Sequence, residues 1–200
     1  MVDIKKYLKK AWHFLWHDDS FASFIANIIV AFIIIKFVVY PGLGLIFGTD
    51  LPIVAVVSSS MEHNLGFEEW WGNAQSWYNK NQITKEDFLG YPLKSGFNKG
   101  DIMLVSSATE SNIELGDVII FNVGRENPII HRVVKIYNEN MTVYYQTKGD
   151  NYKTNPVPLQ SGSLNELKIP VEAIRGKALF RIPFIGYIKI FAVDVINLIR

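Results

Sequence analysis

The 200-residue sequence contains no cysteine and has a formal net charge of only +1, and both facts narrow its function. Without cysteine, disulfide frameworks, thiolate metal sites and cysteine nucleophiles are excluded. The near-zero net charge provides no basic field for nucleic acid, so no nucleic-acid partner is expected. The four histidines, His13, His17, His63 and His131, are too scattered for a zinc motif. We therefore expect neither a metal nor a cofactor.

Charge is also scarce from Phe21 to Tyr40, where Asn27 and Lys36 are the only strongly polar residues. About twenty consecutive apolar residues are enough to cross the hydrocarbon core of a bilayer. A cleaved signal peptide is the alternative interpretation, but its apolar region is normally shorter. We predict an uncleaved transmembrane anchor over residues 20–42.

The segments on either side of the anchor predict its orientation. Residues 1–19 combine lysines with tryptophans at helical spacing, which favours a cytoplasmic amphipathic segment on the bilayer surface over a solvated basic tail. By the positive-inside rule the N-terminus is cytoplasmic, and residues 43–183 form a domain on the outer, extracytoplasmic face. Residues 184–200 are apolar but interrupted by Lys189 and Asp194, so we predict an interfacial segment there.

The remainder of the chain is typical of a mainly β protein. Short β-branched or aromatic runs, separated by Gly-Asp turns, occur at residues 101–105, 117–121, 129–137, 141–147 and 171–180. They predict a β-sandwich or barrel-like domain, with an ordered loop over residues 151–170.

An insertion at residues 66–100 interrupts the strand pattern. It is rich in aromatic residues and contains two short helical patterns, at residues 67–80 and after a Thr84 cap. Its aromatic side chains could form a small satellite core, contact the outer leaflet or shape a substrate groove.

Three residue types in the outer domain could act together in nucleophilic catalysis. Three consecutive serines, ending at Ser60, follow an apolar run, and a serine hydroxyl becomes a nucleophile only when a base takes its proton. His131 lies in a strand pattern, and a free imidazole titrates near pH ~6.5, which suits a base. Asp150 could accept the other ring N–H. Taken singly, these residues equally fit a polar loop, a core histidine and a turn aspartate.

Six motifs occur in order along the chain: SSSME at 58–62, KGDIMLV at 99–105, LGDVIIFN at 115–122, IIHRVVKIY at 129–137, TKGDN at 147–151 and RGKALFRIPFIGYIK at 175–189. Taken together, these segments resemble the type I signal peptidases. The resemblance covers the anchor and most of the outer domain. Bacterial members carry a lysine base before Arg-Val, whereas the archaeal and endoplasmic-reticulum branch carries histidine, as at His131.

The resemblance implies a membrane-anchored serine endopeptidase that cleaves signal peptides from secretory preproteins. Ser60 would be the nucleophile and His131 the general base, with the Ser60 N–H and Ser58 as oxyanion donors. Its partners would be signal peptides and the lipid bilayer, and the sequence does not say whether partner subunits or a translocase are required. The alternative is a catalytically silent, membrane-anchored β-domain that acts as a subunit of a secretion or processing complex.

Two departures from the family pattern leave alternatives open. At residues 62–65 the chain has Glu-His-Asn-Leu where many relatives have Pro-Thr-Leu or similar. In addition, the branch commonly has a second aspartate a few residues beyond the position of Asp150, and none is present here. The third catalytic residue is therefore Asp150, which we prefer, or Glu166, or a Ser–His dyad suffices. His63 lies close to Ser60 in sequence and is a competing base, but a turn controls position less well than a strand.

Overall fold

A computed structural model describes residues 4–124 and 127–184, so the predicted interfacial segment beyond residue 184 lies outside the described residues. The chain divides into two compact units, Met1–Ile46 and Phe47–Arg200.

The N-terminal unit contains an amphipathic helix followed by a long apolar helix. Helix α1 spans Ile4–His17, and α2 (Phe21–Ile34) continues through a π-helical turn (Ile35–Val39) into α3 (Tyr40–Phe47). The continuous stretch Phe21–Phe47 has 27 residues and is long and apolar enough to cross a membrane. It extends beyond the predicted end of the anchor at residue 42. The wide turn accommodates Pro41, which has no N–H to donate to the helix.

The polar residues near the start of α2 bind the end of α1. Ser20 caps α2 by accepting a hydrogen bond from the Ser23 N–H. The Ser23 hydroxyl donates to the Phe14 carbonyl at 2.6 Å, and the Asn27 amide donates to the Leu15 carbonyl at 2.8 Å. These carbonyls belong to the last turn of α1, where no intrahelical donor is available. Asn27 therefore has a partner inside this unit although it interrupts an apolar segment.

The C-terminal unit is built on a curled, seven-stranded antiparallel sheet with the strand order β1-β2-β9-β3-β4-β5-β8, while β6 and β7 form a separate hairpin. The prediction of a mainly β fold is confirmed, and the predicted loop at 151–170 contains the hairpin and β8. The strands are β1 (Ile53–Ala55), β2 (Ile102–Ser106), β3 (Val118–Phe121), β4 (Ile129–Glu139), β5 (Thr142–Lys148), β6 (Gln160–Ser161), β7 (Leu164–Asn165), β8 (Ile169–Pro170) and β9 (Ile174–Ile182).

Both faces of the central strands are buried. On β3, Val118 and Ile120 join one apolar cluster, whereas Ile119 and Phe121 join another. The same alternation continues on β4, where Ile130 belongs to the first cluster and Val133 to the second. Since successive side chains of a strand point to opposite faces, the two residues between them, 131 and 132, also project in opposite directions.

The insertion forms the two predicted helices, α4 (Phe67–Lys80) and α5 (Lys85–Gly90), and Thr84 begins α5 in a reciprocal capping box with Asp87. Of the three roles considered for its aromatic residues, a satellite core fits the buried members. They form a third cluster that packs on Val134 of β4 and comprises Trp70, Trp71, Ala74, Tyr78, Ile83 and Phe88.

Candidate active site

The loop Ser58–Met61, here called the serine loop, packs directly on the turn that follows β5. The Ser60 carbonyl accepts a hydrogen bond from the Asn151 N–H at 2.8 Å, and the Asn151 side chain donates to the Ser59 carbonyl at 2.9 Å. A Cβ added at Gly149 would lie 2.8 Å from the Ser60 carbonyl oxygen, so this approach requires a glycine. The strand β5 pairs with β4, which carries His131. The turn thus brings the serine loop to these two strands.

The hydroxyls of Ser58 and Ser60 lie together. Their Oγ atoms are 3.1 Å apart, with Ser58 exposed and Ser60 half-buried. Among the described residues, no hydrogen bond joins the Ser60 hydroxyl to His131. The structure therefore brings the predicted nucleophile and the predicted oxyanion donor into contact, with the nucleophile's hydroxyl turned toward its neighbour.

His131 is buried on β4 and is oriented by Glu166. Its Nδ1 is hydrogen bonded to the Glu166 carboxylate, which is fully buried. The same carboxylate accepts hydrogen bonds from the Thr147 hydroxyl at 2.9 Å and the Leu159 N–H at 2.7 Å. Because a carboxylate only accepts hydrogen bonds, Nδ1 carries the proton in the neutral ring, and Nε2 is left as the proton acceptor.

Asp150, the preferred partner of His131 in the sequence analysis, has different partners in the structure. Its carboxylate binds Arg132, with an Nη2–Oδ2 distance of 2.7 Å and an Nε–Oδ1 distance of 3.0 Å. The physical reason is the alternation along β4. Arg132 and His131 project to opposite faces, so a single carboxylate does not serve both, and the alternative residue, Glu166, binds the histidine.

Asp150 is the centre of a buried cluster of hydrogen-bonded side chains. Besides Arg132, it accepts hydrogen bonds from His63 Nε2 at 3.1 Å and from the Tyr78 hydroxyl at 3.2 Å, while its main-chain carbonyl accepts the Trp70 indole N–H at 2.8 Å. Burial raises the pKa of Asp150, but the charge of Arg132 and the hydrogen bonds from His63 and Arg132 outweigh it and hold the pKa well below its usual range. The carboxylate is therefore ionised, and breaking its pairing is costly.

His63, the competing base, belongs to this cluster. Its ring stacks on that of Trp70 with a centroid distance of 3.7 Å and an interplanar angle of 2°. Nε2 is hydrogen bonded to Asp150, and Nδ1 is buried with no hydrogen-bond partner in the part of the chain that the structure describes. A ring held in this way does not fit the role of a base for Ser60.

Lys148 is a buried basic residue that the sequence analysis did not select. Its ammonium donates to the Gly149 carbonyl at 2.8 Å and lies over the rings of Tyr78 and Trp77, 5.0 and 5.2 Å from their centroids. Burial lowers the pKa of Lys148 to about 8, although the charges of Asp150 and Glu166 oppose the change. The sequence offered one sign of its burial, namely that Lys148 directly precedes the Gly-Asp turn. In the structure the residues of this turn are buried in the same cluster.

No metal centre accompanies these residues within the described ranges, where no group of three or more His, Asp or Glu side chains is arranged to hold an ion. The residues of the site are a strand histidine with a protonated Nδ1, a buried carboxylate and a loop with two adjacent hydroxyls. Groups of this kind are those that nucleophilic hydrolysis uses, so they form a candidate hydrolase site.

The relatives of the chain carry the name of one kind of peptidase. The chain is 27% identical over 158 residues to the human protein named signal peptidase complex catalytic subunit SEC11C, and this match covers 78% of the chain and 65% of the relative. The SEC11 subunit of Yarrowia lipolytica is 24% identical over 160 residues, with 80% and 73% covered. That of Komagataella phaffii is 27% identical over 164 residues, with 79% and 76% covered.

No family model matches the chain. The homology to SEC11 subunits nevertheless confirms the resemblance to type I signal peptidases of the archaeal and endoplasmic-reticulum branch. The chain spans less than two thirds of the length of its mammalian relatives, 65% for the human protein. Together with the long apolar helix at Phe21–Phe47, the relationship supports a membrane protein.

Proposed function

We propose that the chain is a membrane-anchored serine endopeptidase that removes signal peptides from secretory preproteins. The observation that best supports this function is the hydrogen bond between Glu166 and His131 Nδ1, which leaves Nε2 as a proton acceptor on the strand beside the turn that holds the serine loop. The relatives are named as signal peptidase subunits, and this supplies the proposed substrate class.

In the proposed reaction, Ser60 attacks the scissile carbonyl while His131 Nε2 takes the proton from its hydroxyl. The hydroxyl, which contacts Ser58 in the free protein, rotates about its χ1 bond toward the imidazole when substrate binds. Glu166 keeps the ring in the required tautomer and stabilises the imidazolium that forms. The imidazolium then protonates the leaving amine, and water hydrolyses the acyl-enzyme with His131 again as base.

The developing oxyanion needs donors that are already in place. We assign this role to the Ser60 N–H and the Ser58 hydroxyl, and each such donor typically contributes about 3 kcal/mol to the stabilisation of the transition state. The contact between the two serine hydroxyls supports this assignment, because it places the Ser58 hydroxyl next to the nucleophilic oxygen of Ser60, beside which the substrate's oxyanion would form.

The anchor would restrict the enzyme to membranes through which signal peptides pass. We propose that the lysines of α1 keep the N-terminus on the cytoplasmic side and that the sheet domain lies on the outer face. The relatives are named as subunits of a complex, so we also propose that the chain works with further membrane subunits.

The test is cleavage of a preprotein by the full chain in detergent micelles. Ser60→Ala and His131→Ala should each reduce kcat by about 10³-fold or more, because each removes an essential member of the proton-transfer pair. Ser59→Ala is the matched control and should retain activity. Full activity in either of the first two variants contradicts the assignment, and a folded but inactive wild type favours the catalytically silent β-domain.

A further inference from the structure

We infer that the aromatic insertion is a positioning element for the serine loop, with Trp70 and Tyr78 as positioning residues that act through Asp150. Its catalytic consequence rests on the function proposed above, but the positioning itself is measurable without any cleavage. Neither aromatic residue is assigned a contact with substrate. Their effect passes through the turn after β5 to the backbone on which Ser60 lies.

The first step is the contact between this turn and the serine loop. Asn151 binds the carbonyls of Ser59 and Ser60, and the Asp150 N–H lies 3.3 Å from the sulfur of Met61. Through these contacts the turn after β5 fixes the position and orientation of the Ser60 main chain. Gly149 allows the close approach, as described above.

The second step is the contact between the turn and helix α4. Trp70 donates its indole N–H to the Asp150 carbonyl at 2.8 Å, and Tyr78 donates its hydroxyl to the Asp150 carboxylate at 3.2 Å. Both side chains are almost completely buried, with exposed fractions of 1% and 0%. Each makes a directed polar contact from within an apolar cluster, and in a dry environment such contacts fix the position of both partners.

The third step is that the insertion also holds the counter-ion of Asp150. The Arg132 guanidinium lies over the ring of Phe88, 4.7 Å from its centroid, and donates to the carbonyls of Pro92 and Leu93. A buried charge that loses its counter-ion is strongly unfavourable, so Asp150 and Arg132 depend on each other. The insertion therefore holds both Asp150 and its counter-ion Arg132, and through Asp150 it holds the turn that binds the serine loop.

The expected catalytic effect follows from the sensitivity of nucleophilic attack to distance. A displacement of about 1 Å in the reacting group can cost on the order of 100-fold in rate. Loss of one hydrogen bond within a cluster that keeps its other contacts should shift the serine loop by less. We therefore expect a fall in kcat of about tenfold, with KM changed by less than about twofold, because the substrate-binding surface is unaltered.

The primary experiment compares Trp70→Phe with Trp71→Phe in the full chain. Both residues lie in the same buried cluster, but of the two indoles it is that of Trp70 which hydrogen bonds Asp150. Hydrogen exchange is measured for peptides covering residues 58–62 and 149–152, alongside kcat and KM for preprotein cleavage. Trp70→Phe should speed hydrogen exchange in both peptides and lower kcat. Trp71→Phe should lower the melting temperature but leave hydrogen exchange in these peptides and kcat near the wild-type values.

A second pair of variants tests the same inference in case Trp70→Phe does not fold. Tyr78→Phe removes only the hydroxyl that binds Asp150, and Tyr91→Phe removes a hydroxyl from a residue at the edge of the same cluster. The first should speed exchange at residues 149–152, and the second should not.

Wild-type exchange in both Trp70→Phe and Tyr78→Phe overturns the inference, as does an equal effect in each variant and its control. Because exchange needs no cleavage, this decision stands even if the wild type fails to cleave a preprotein. That failure would count against the proposed function alone.

Discussion

Glu166 and Asp150 are both fully buried carboxylates, but they bind different basic side chains, so their amide variants should separate catalysis from stability. Glu166→Gln and Asp150→Asn each replace one carboxylate oxygen by an NH₂ group with little change in volume. The first alters the partner of His131, and the second alters the partner of Arg132.

The magnitudes follow from those partners. Glu166→Gln leaves no charge to stabilise the imidazolium and permits the wrong tautomer of His131, a change that costs about 10⁴-fold in kcat in Ser-His-Asp enzymes. Its stability cost is that of a mispaired buried polar group, about 1–3 kcal/mol. Asp150→Asn leaves the buried Arg132 charge unpaired, which costs about 3–5 kcal/mol of stability. Its effect on kcat should be about tenfold, through displacement of the serine loop.

The assay measures kcat at saturating preprotein and denaturant unfolding by tryptophan fluorescence on the same preparations. Activity is compared at a temperature at which all variants are folded. Glu172→Gln removes an exposed carboxylate near β9 and is the matched control for the loss of one negative charge. Glu166→Gln should have the lower kcat and Asp150→Asn the lower free energy of unfolding.

The opposite ranking refutes this reasoning. If Asp150→Asn abolishes turnover with unchanged stability while Glu166→Gln remains active, Asp150 is the catalytic acid despite its contact with Arg132. Full activity in both variants means that a dyad of serine and histidine suffices.

Three further predictions concern the surroundings of the site. His63→Gln keeps a donor for Asp150, so kcat should fall less than about tenfold, and complete loss of turnover would restore His63 as a base. Lys148→Met removes an ammonium whose pKa is lowered to about 8 from 10.5. Between these pKa values the folded wild type binds fewer protons than the unfolded chain, so its stability relative to Lys148→Met should rise with pH by about 1.4 kcal/mol per pH unit. The same difference in unfolding free energy between the two proteins at pH 7.5 and at pH 10 would contradict this. Gly149→Ala places a Cβ 2.8 Å from the Ser60 carbonyl and should lower both kcat and melting temperature, so wild-type values would show that the contact relaxes freely.

Local patterns predicted most of the architecture because they depend on neighbouring residues alone. The aromatic spacing from Phe67 to Lys80 predicted a helix, and Thr84 predicted the start of the next one. The β-branched runs predicted the main strands, including the one that carries His131. The apolar segment predicted the long helix, but its continuation from residue 42 to Phe47 was not predicted, and neither was the π-helical turn within it, which has no sequence signal as simple as apolar length.

The partner of His131 was harder to predict because it depends on which strand face each charge occupies. Asp150 was preferred as the aspartate one hairpin after His131, in a segment that resembles the family's motif. However, an arginine directly after His131 on a buried strand needs a carboxylate of its own on the other face. Glu166 lies in a segment rich in Asn, Pro and Ser, and a charge in such a segment gives no sign of being buried. In the structure its contacts with His131, Thr147 and Leu159 place it inside the domain.

The position of Glu166 along the chain has a consequence for biosynthesis. Chains emerge from the ribosome N-terminus first, so the proposed nucleophile and base are made well before the segment that orients the imidazole. That segment contacts His131 only after it has been made and the intervening loop has closed. A nascent chain would therefore lack the contact that orients the imidazole until this part of the domain is complete.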